Sequence, residues 1–285
     1  MDIKKVGVVG CGLMGSGITQ VCAQAGYQVV VSEINQELLS KGLASLDTRL
    51  AKSVGDGKMS PQDKSVVLGR IKGTTDIKDF RECDLVMEAA AENMDLKKKI
   101  FVELDSVCAS HTILASNTSG LSIIAMATAT KRPEKVLGTH FFNPVPVMKL
   151  VEVVRSIATS EETLETIKGF VKSLGKTHIV AKDMPGFLVN RLSSALMLTA
   201  IRLLESGAGT KEDIDAAATL GLNHPIGPLA LLDLIGVDTV YYNNLVVYDE
   251  LNDPLYAPPP LMRRMVTGGW LGRKTGKGFY EYKSK

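Results

Sequence analysis

From Val6 to about Lys182, short β-branched runs alternate with stretches whose apolar residues recur at three- and four-residue steps. The strand-like runs are Val6–Val9, Gln28–Val31, Asp84–Ala90, Thr112–Ala115, Val136–Phe142, Leu150–Ile157 and Thr177–Ala181. Helical spacing is clearest at Leu96, Ile100, Phe101, Leu104, Val107 and Cys108. Strands and helices in alternation predict βαβ units and a mostly parallel, doubly wound α/β sheet. A later helix is expected to begin near Ser160, with Thr159 and Glu162 as a capping box, and to stop at Gly175.

The pattern changes after Asp183-Met184-Pro185-Gly186. Beyond it the spacing is helical almost throughout, and LVNRLSSALMLTAIRLLESG reads as one long helix. Glycines and prolines around 207–209, 221–228 and 258–260 divide the remainder into further helices. Two domains are therefore expected: residues 1–184 built on the sheet, and an all-α C-terminal domain over 185–285. The helical part is too apolar for a solvated appendage and is expected to pack on the first domain and on a second subunit.

Composition narrows the classes of function. A chain of 285 residues that is 45% apolar and 22% charged is an ordinary globular protein. Its formal net charge of +2 gives no support for a nucleic-acid surface. The four cysteines, Cys11, Cys22, Cys83 and Cys108, lack the spacing of a metal site and fit a reduced, cytoplasmic chain. The start, MDIKK followed by VGVVG, resembles neither a signal nor a transit peptide, and no apolar run has the length of a membrane span. A soluble protein is expected.

The first strand runs into Gly10-Cys11-Gly12-Leu13-Met14-Gly15. A G-x-G-x-x-G turn is weak evidence alone. Here it follows a strand, opens a helix over 16–25, and is followed by a second strand ending at Glu33, 18 positions after Gly15. That is the full context of a Rossmann-type dinucleotide site. Gly10 permits the tight turn, Gly12 lets the backbone approach a pyrophosphate, and Gly15 lets helix and strand pack closely. The helix N-terminus offers N–H groups and its positive dipole end to the phosphates. Glu33 can accept from ribose hydroxyls and would repel a 2′-phosphate, which favours NAD over NADP. Cys11 reads as a small residue that fits the turn.

Four polar segments stand where strands end or helices begin. Ser116-Asn117-Thr118-Ser119 follows a strand, where ligands collect in an open parallel sheet, yet the same residues suit capping of a helix over 121–127. Thr139-His140-Phe141-Phe142-Asn143-Pro144 closes another strand, and Glu152 interrupts the apolar run Lys149–Val154. If Pro144 and Pro146 mark a turn between antiparallel strands, His140 and Glu152 come opposite one another, about 5 Å apart at Cβ. An acid in an apolar strand needs a partner. A histidine so paired is either a general base or a satisfied structural residue. Asn190, early in the long helix, carries an amide suited to a substrate oxygen or to a neighbouring loop.

Together these segments resemble the L-3-hydroxyacyl-CoA dehydrogenases, above all the short bacterial members that act on 3-hydroxybutyryl-CoA. The resemblance covers essentially the whole chain through GCGLMGSGI, EAAAENMDLKKKIF, LASNTSGLSI, GTHFFNPVPVMKLVEVV, KDMPGFLVNR, HPIGPLALLDLIGVD and GRKTGKGFY. It implies His140 as general base oriented by Glu152, with Ser119 and Asn190 bonding the reacting oxygen and the thioester carbonyl. It also implies that Glu92, Lys97, Ser119, Asn143 and Lys274 help hold NAD beside the glycine turn, and that the enzyme is a dimer through its helical domain. Two departures stand out: Gly120 replaces a second serine of many relatives, and Glu33 replaces their usual aspartate.

The implied reaction moves a hydride between C3 of a hydroxyacyl thioester and NAD while His140 exchanges the hydroxyl proton. An ordinary histidine pKa of about 6.5 keeps both forms accessible near neutrality. Competing readings are a related two-domain dehydrogenase of another hydroxy acid, and a non-catalytic structural relative. Coenzyme A is polyanionic, so Arg49, Lys52 and Lys58, which follow the second strand where the family places its coenzyme A contacts, are candidate phosphate partners. If Lys52 meets those phosphates, the Michaelis constant for acetoacetyl-CoA should rise with ionic strength, and Lys52→Ala should raise it and flatten that salt dependence. A salt-insensitive constant that Lys52→Ala leaves unchanged would remove the assignment.

Overall fold

The computed structural model describes residues 1–283. Its chain divides into two compact units, Met1–Met184 and Pro185 onward. The first unit runs β1 (Lys5–Val9), α1 (Leu13–Gln24), β2 (Gln28–Ser32), α2 (Gln36–Gly55), α3 (Pro61–Gly69), β3 (Ile71–Thr74) and β4 (Leu85–Glu88). It continues α4 (Met94–Val107), β5 (Ile113–Ser116), α5 (Ile123–Ala127), β6 (Val136–Phe141), β7 (Leu150–Arg155), α6 (Glu161–Ser173) and β8 (Thr177–Lys182).

The eight strands form one sheet in the order β3-β2-β1-β4-β5-β6-β7-β8. All neighbours from β3 to β6 pair in parallel, β7 is antiparallel to β6, and β8 is parallel to β7. β4, β5 and β6 are buried along their whole lengths. Burial on both faces suits the apolar starts of these strands, Leu85–Met87, Ile113–Ala115 and Val136–Leu137. On one face Ile18, Leu39, Leu46, Leu50, Leu164 and Ile167 close over the sheet. Strand order reverses between β1 and β4, so the turn after β1 opens at the switch point where such sheets receive ligands.

Several boundaries differ from the sequence reading. β4 stops at Glu88, whose carboxylate folds back to accept the Ala90 N–H at 2.6 Å. β7 ends at Arg155, leaving Ile157 almost wholly exposed. β3 is a four-residue edge strand with no alternating signal in Ile-Lys-Gly-Thr. The cap of α6 is Ser160, whose hydroxyl accepts from Thr163 N, and not Thr159 with Glu162. Thr159 is held elsewhere, its hydroxyl donating to the Val136 carbonyl at 2.7 Å.

The second unit contains α7 (Val189–Glu205), α8 (Lys211–Ala216), α9 (Pro228–Ile235), α10 (Val237–Leu251) and α11 (Pro260–Thr267). Leu198, Ile201, Leu229, Leu232, Val237 and Met262 are fully buried at its centre. Among the described residues no helix is long and apolar enough to cross a membrane.

Buried Asp233 ties the C-terminal segment to α9. Its carboxylate accepts from Phe279 N at 3.0 Å, Tyr280 N at 2.9 Å and the Tyr282 hydroxyl at 3.0 Å. Gly272 and Gly278 lie so close to Asp233 that a Cβ at either would collide with it. Replacing Asp233 by Ala leaves two buried N–H donors without an acceptor, at about 3 kcal/mol or more for bonds to a charged group. The unfolding midpoint of Asp233→Ala should fall accordingly, read by the fluorescence of Trp270, the protein's single tryptophan. An unchanged midpoint would show that the segment is held by other contacts.

Candidate active site

The glycine turn has the shape of a phosphate cradle. Gly10 adopts φ +93°, open to glycine but strained for an L side chain. A Cβ on Gly15 would collide with the Gly10 carbonyl, whereas one on Gly12 would meet nothing and would project into open space. Gly12 caps α1 without a side chain, so no side-chain acceptor is committed to the first N–H groups of that helix. Leu13 is exposed and Met14 packs against the core. At the end of β2, Glu33 accepts from Cys11 N at 2.7 Å, which fixes its carboxylate beside the turn. The residues present fit a dinucleotide. Burial, with help from Glu33, pushes the Cys11 thiol up to about 11, so the thiolate is not populated near neutrality.

Arg49 of α2 braces this turn. It donates to Gln20 Oε1 at 3.0 Å, Ser45 Oγ at 2.9 Å and Ser16 Oγ at 3.1 Å. These bonds use three of its N–H groups within the first unit. Its guanidinium stands at the first turns of α1. Lys52, one turn further along α2, is exposed, and Lys58 pairs with Asp56 at 3.3 Å.

Across the switch point lies a buried polar network. Glu88, fully buried at the end of β4, accepts from Lys97 Nζ at 2.6 Å through Oε1 and from Ser116 Oγ at 2.6 Å through Oε2. Lys97, 1% exposed, also stands 3.4 Å from Glu92 Oε2. The other oxygen of Glu92 accepts from Thr118 Oγ1 at 2.6 Å, Ser119 N at 2.9 Å and Ser119 Oγ at 3.2 Å. Two carboxylates therefore share one ammonium and grip both ends of the 116–119 loop. Sequence reasoning missed Glu88, although an acid in Leu-Val-Met-Glu carries the same signal as Glu152.

The 116–119 loop is not the cap of α5. Ser122 is, and Asp183 accepts from Ile123 N and Ile124 N at 2.8 and 2.7 Å. Asn117, which the sequence reading left without a role, accepts from Phe141 N at 2.9 Å and so latches the loop to β6.

β6 and β7 pair with His140 directly opposite Glu152, as the turn between them required. His140 Nδ1 lies 2.7 Å from Glu152 Oε2; Glu152 is fully buried and the histidine 6% exposed. A carboxylate oxygen accepts, so Nδ1 is the donor that suits this contact. The Phe142 ring stands 4.4 Å from the imidazole. Asn143 lies exposed in the connecting turn, which Lys176 anchors by donating to the Val145 and Met148 carbonyls at 2.7 and 2.6 Å.

The structure thus gathers the glycine turn, Glu33, Glu92, Lys97, Ser119, His140 and Glu152 in the first unit, with Glu88, Ser116 and Phe141 closing parallel strands on one edge of the sheet. Asn190 and Lys274 belong to the second. Asn190 occupies the first turn of α7, just after Gly186 and Phe187, both at positive φ. Lys274 Nζ donates to Asp238 Oδ2 at 2.7 Å. Burial is the largest influence on the Asp238 carboxyl and disfavours its charge, but the Lys274 hydrogen bond and charge together with backbone N–H donors outweigh it and hold that carboxyl below its usual range. Within the helical unit Lys274 is thus held by Asp238.

Comparison with known proteins identifies the family. Residues 5–184 match the 3-hydroxyacyl-CoA dehydrogenase NAD-binding domain, and residues 186–282 match the C-terminal domain of the same enzymes. A probable 3-hydroxybutyryl-CoA dehydrogenase of Bacillus subtilis is 45% identical over 285 residues, covering 100% of this chain and 99% of that protein. The mitochondrial hydroxyacyl-coenzyme A dehydrogenase of Sus scrofa is 43% identical over 99% of this chain and 92% of its own. The crystal structure of the Ralstonia eutropha (S)-3-hydroxybutyryl-CoA dehydrogenase superposes with a TM-score of 0.97 at 45% identity, covering 99% of this chain and all of that one. With both domains matched across nearly its full length, the chain belongs to the 3-hydroxyacyl-CoA dehydrogenase family and is an NAD-dependent oxidoreductase.

Proposed function

We propose that the protein interconverts an (S)-3-hydroxyacyl-CoA and the corresponding 3-ketoacyl-CoA, the four-carbon pair 3-hydroxybutyryl-CoA and acetoacetyl-CoA being its preferred substrates. The observation that carries this reading is the buried His140–Glu152 pair, on the same sheet edge as a glycine turn shaped for a dinucleotide. The four-carbon preference rests on the Bacillus and Ralstonia relatives, whose names specify that substrate.

In the oxidising direction His140 Nε2 takes the proton of the C3 hydroxyl as the C3–H bond breaks. In the reducing direction it returns that proton to the carbonyl oxygen. Glu152 keeps the imidazole in the Nδ1–H form and stabilises the imidazolium that results. NAD would be held by residues 10–15, Glu33, Glu92, Lys97, Ser119, Asn143 and Lys274, and would supply the two-electron acceptor for this chemistry. Ser119 is assigned to the reacting oxygen, and the family resemblance assigns Asn190 to the thioester carbonyl. A neutral amide and a hydroxyl donate without competing for the proton that His140 handles.

Exposed Ile235, Tyr242, Val246 and Tyr248 on α9 and α10 support a homodimer formed through the helical unit. Four buried free thiols support a reducing, cytoplasmic setting.

The direct test is loss of NADH absorbance at 340 nm with acetoacetyl-CoA, and a flat trace from folded protein would end this reading. His140→Gln should lower turnover by roughly a hundredfold or more while leaving NADH binding intact. Near-normal turnover in that variant would exclude His140 as the proton carrier. Glu33→Ser should narrow the preference for NADH over NADPH by at least about tenfold, since it removes a charge that repels a 2′-phosphate. An unaltered ratio would assign cofactor choice elsewhere.

A further inference from the structure

We propose that Glu88 is a positioning residue for the reaction: through Ser116 it fixes the loop that presents Ser119, and through Lys97 it locks that loop to the start of α4. This rests on the assignment of Ser119 to the reacting oxygen. Glu88 touches neither substrate nor cofactor in this scheme. Its side chain is fully buried, and its oxygens are divided between Lys97 Nζ and the Ala90 N–H on one side and the Ser116 hydroxyl on the other. The Ser116 hydroxyl in turn accepts from Thr118 N at 3.2 Å, one residue before Ser119. The backbone makes the same connection, with Asn117 N donating to the Glu88 carbonyl at 2.7 Å.

Two features make this more than a stabilising pair. The Ser119 side of the loop is held by Glu92, whose second oxygen faces the same ammonium that Glu88 holds, so both ends of the loop share Lys97 as a common point. The Asn117 side chain accepts from Phe141 N, so a shift of the loop is felt one residue from His140. Misplacement of a reacting group by about 1 Å is enough to cost a hundredfold in rate. Loss of the Glu88–Ser116 link should therefore act on turnover and leave binding largely as it was.

The experiment compares Ser116→Ala, Glu88→Gln, Ser119→Ala and the Ser116→Ala/Ser119→Ala double variant. For each, kcat and KM are measured with acetoacetyl-CoA, NADH affinity by fluorescence titration, and the unfolding midpoint. Ser116→Ala should lower kcat roughly ten- to a hundredfold, with KM and NADH affinity within about threefold of wild type. The double variant should be no slower than Ser119→Ala alone, because the first change acts through the second. Ser116→Thr, which keeps the hydroxyl, should recover most of the rate. Glu88→Gln keeps the shape but strands the Lys97 charge, so it should lose stability as well as kcat, whereas Ser116→Ala leaves the Glu88–Lys97 pair intact and isolates the link to the loop. Wild-type kcat in both Ser116→Ala and Glu88→Gln, or multiplicative losses in the double variant, would overturn the inference. Wild-type kcat in Ser119→Ala would remove the role of Ser119 and the inference with it, an outcome distinct from a slow Ser119→Ala beside a normal Ser116→Ala.

Discussion

The Lys97 ammonium is the charge around which the first unit is organised, because at 1% exposure it has no access to bulk water. Removing one partner from a buried ion pair typically costs about 3–5 kcal/mol, since the remaining charge is stranded. Glu88 and Glu92 must therefore come to it, one from the end of a strand and the other from the turn before α4. Once they are there, their remaining oxygens need donors too, and the nearest are the hydroxyls and amides of residues 116–119. Satisfying one cation thus dictates the conformation of a loop belonging to the next strand. A fully satisfied network of this kind specifies one arrangement strongly, where an apolar contact would tolerate several.

The antiparallel turn of β7 solves a different problem. A histidine at the end of a parallel strand finds the ends of other strands and the starts of helices nearby. Reversing the chain through a short loop after Phe142 brings a new strand back along β6 from the same edge. Its third residue, Glu152, therefore faces His140 in register. The carboxylate so placed lies 2.7 Å from the imidazole Nδ1.

Much of this was legible in the chain because it obeyed local rules. The strand–glycine turn–helix order was complete around residues 6–25, and Pro144 and Pro146 announced a reversal that put His140 and Glu152 together. Glu88 escaped because it fell inside the strand-like run Asp84–Ala90, where only the β pattern was used. The argument that singled out Glu152 applied to it equally. Lys97 lies beside Leu96 in a pattern that assigned the apolar neighbour to the core, yet Leu96 is 40% exposed and the lysine is not. Only the tertiary partners Glu88 and Glu92 reverse that preference. The misplaced cap at Thr159 has the same origin, since its hydroxyl is drawn away by a carbonyl 23 residues earlier. The misreadings at Leu96 and Thr159 both follow from a partner outside the local pattern.

The cysteines carry a separate consequence. All four are buried, and all lie before residue 109, so the helical unit contains none. Burial holds the Cys11, Cys83 and Cys108 thiols well above their usual range, at about 11, 12 and 11. Their sulfur atoms become reactive only when the sheet unit opens. An alkylating reagent consequently behaves as a clock for breathing of that unit and is blind to motion in the other, a built-in contrast between two halves of one chain.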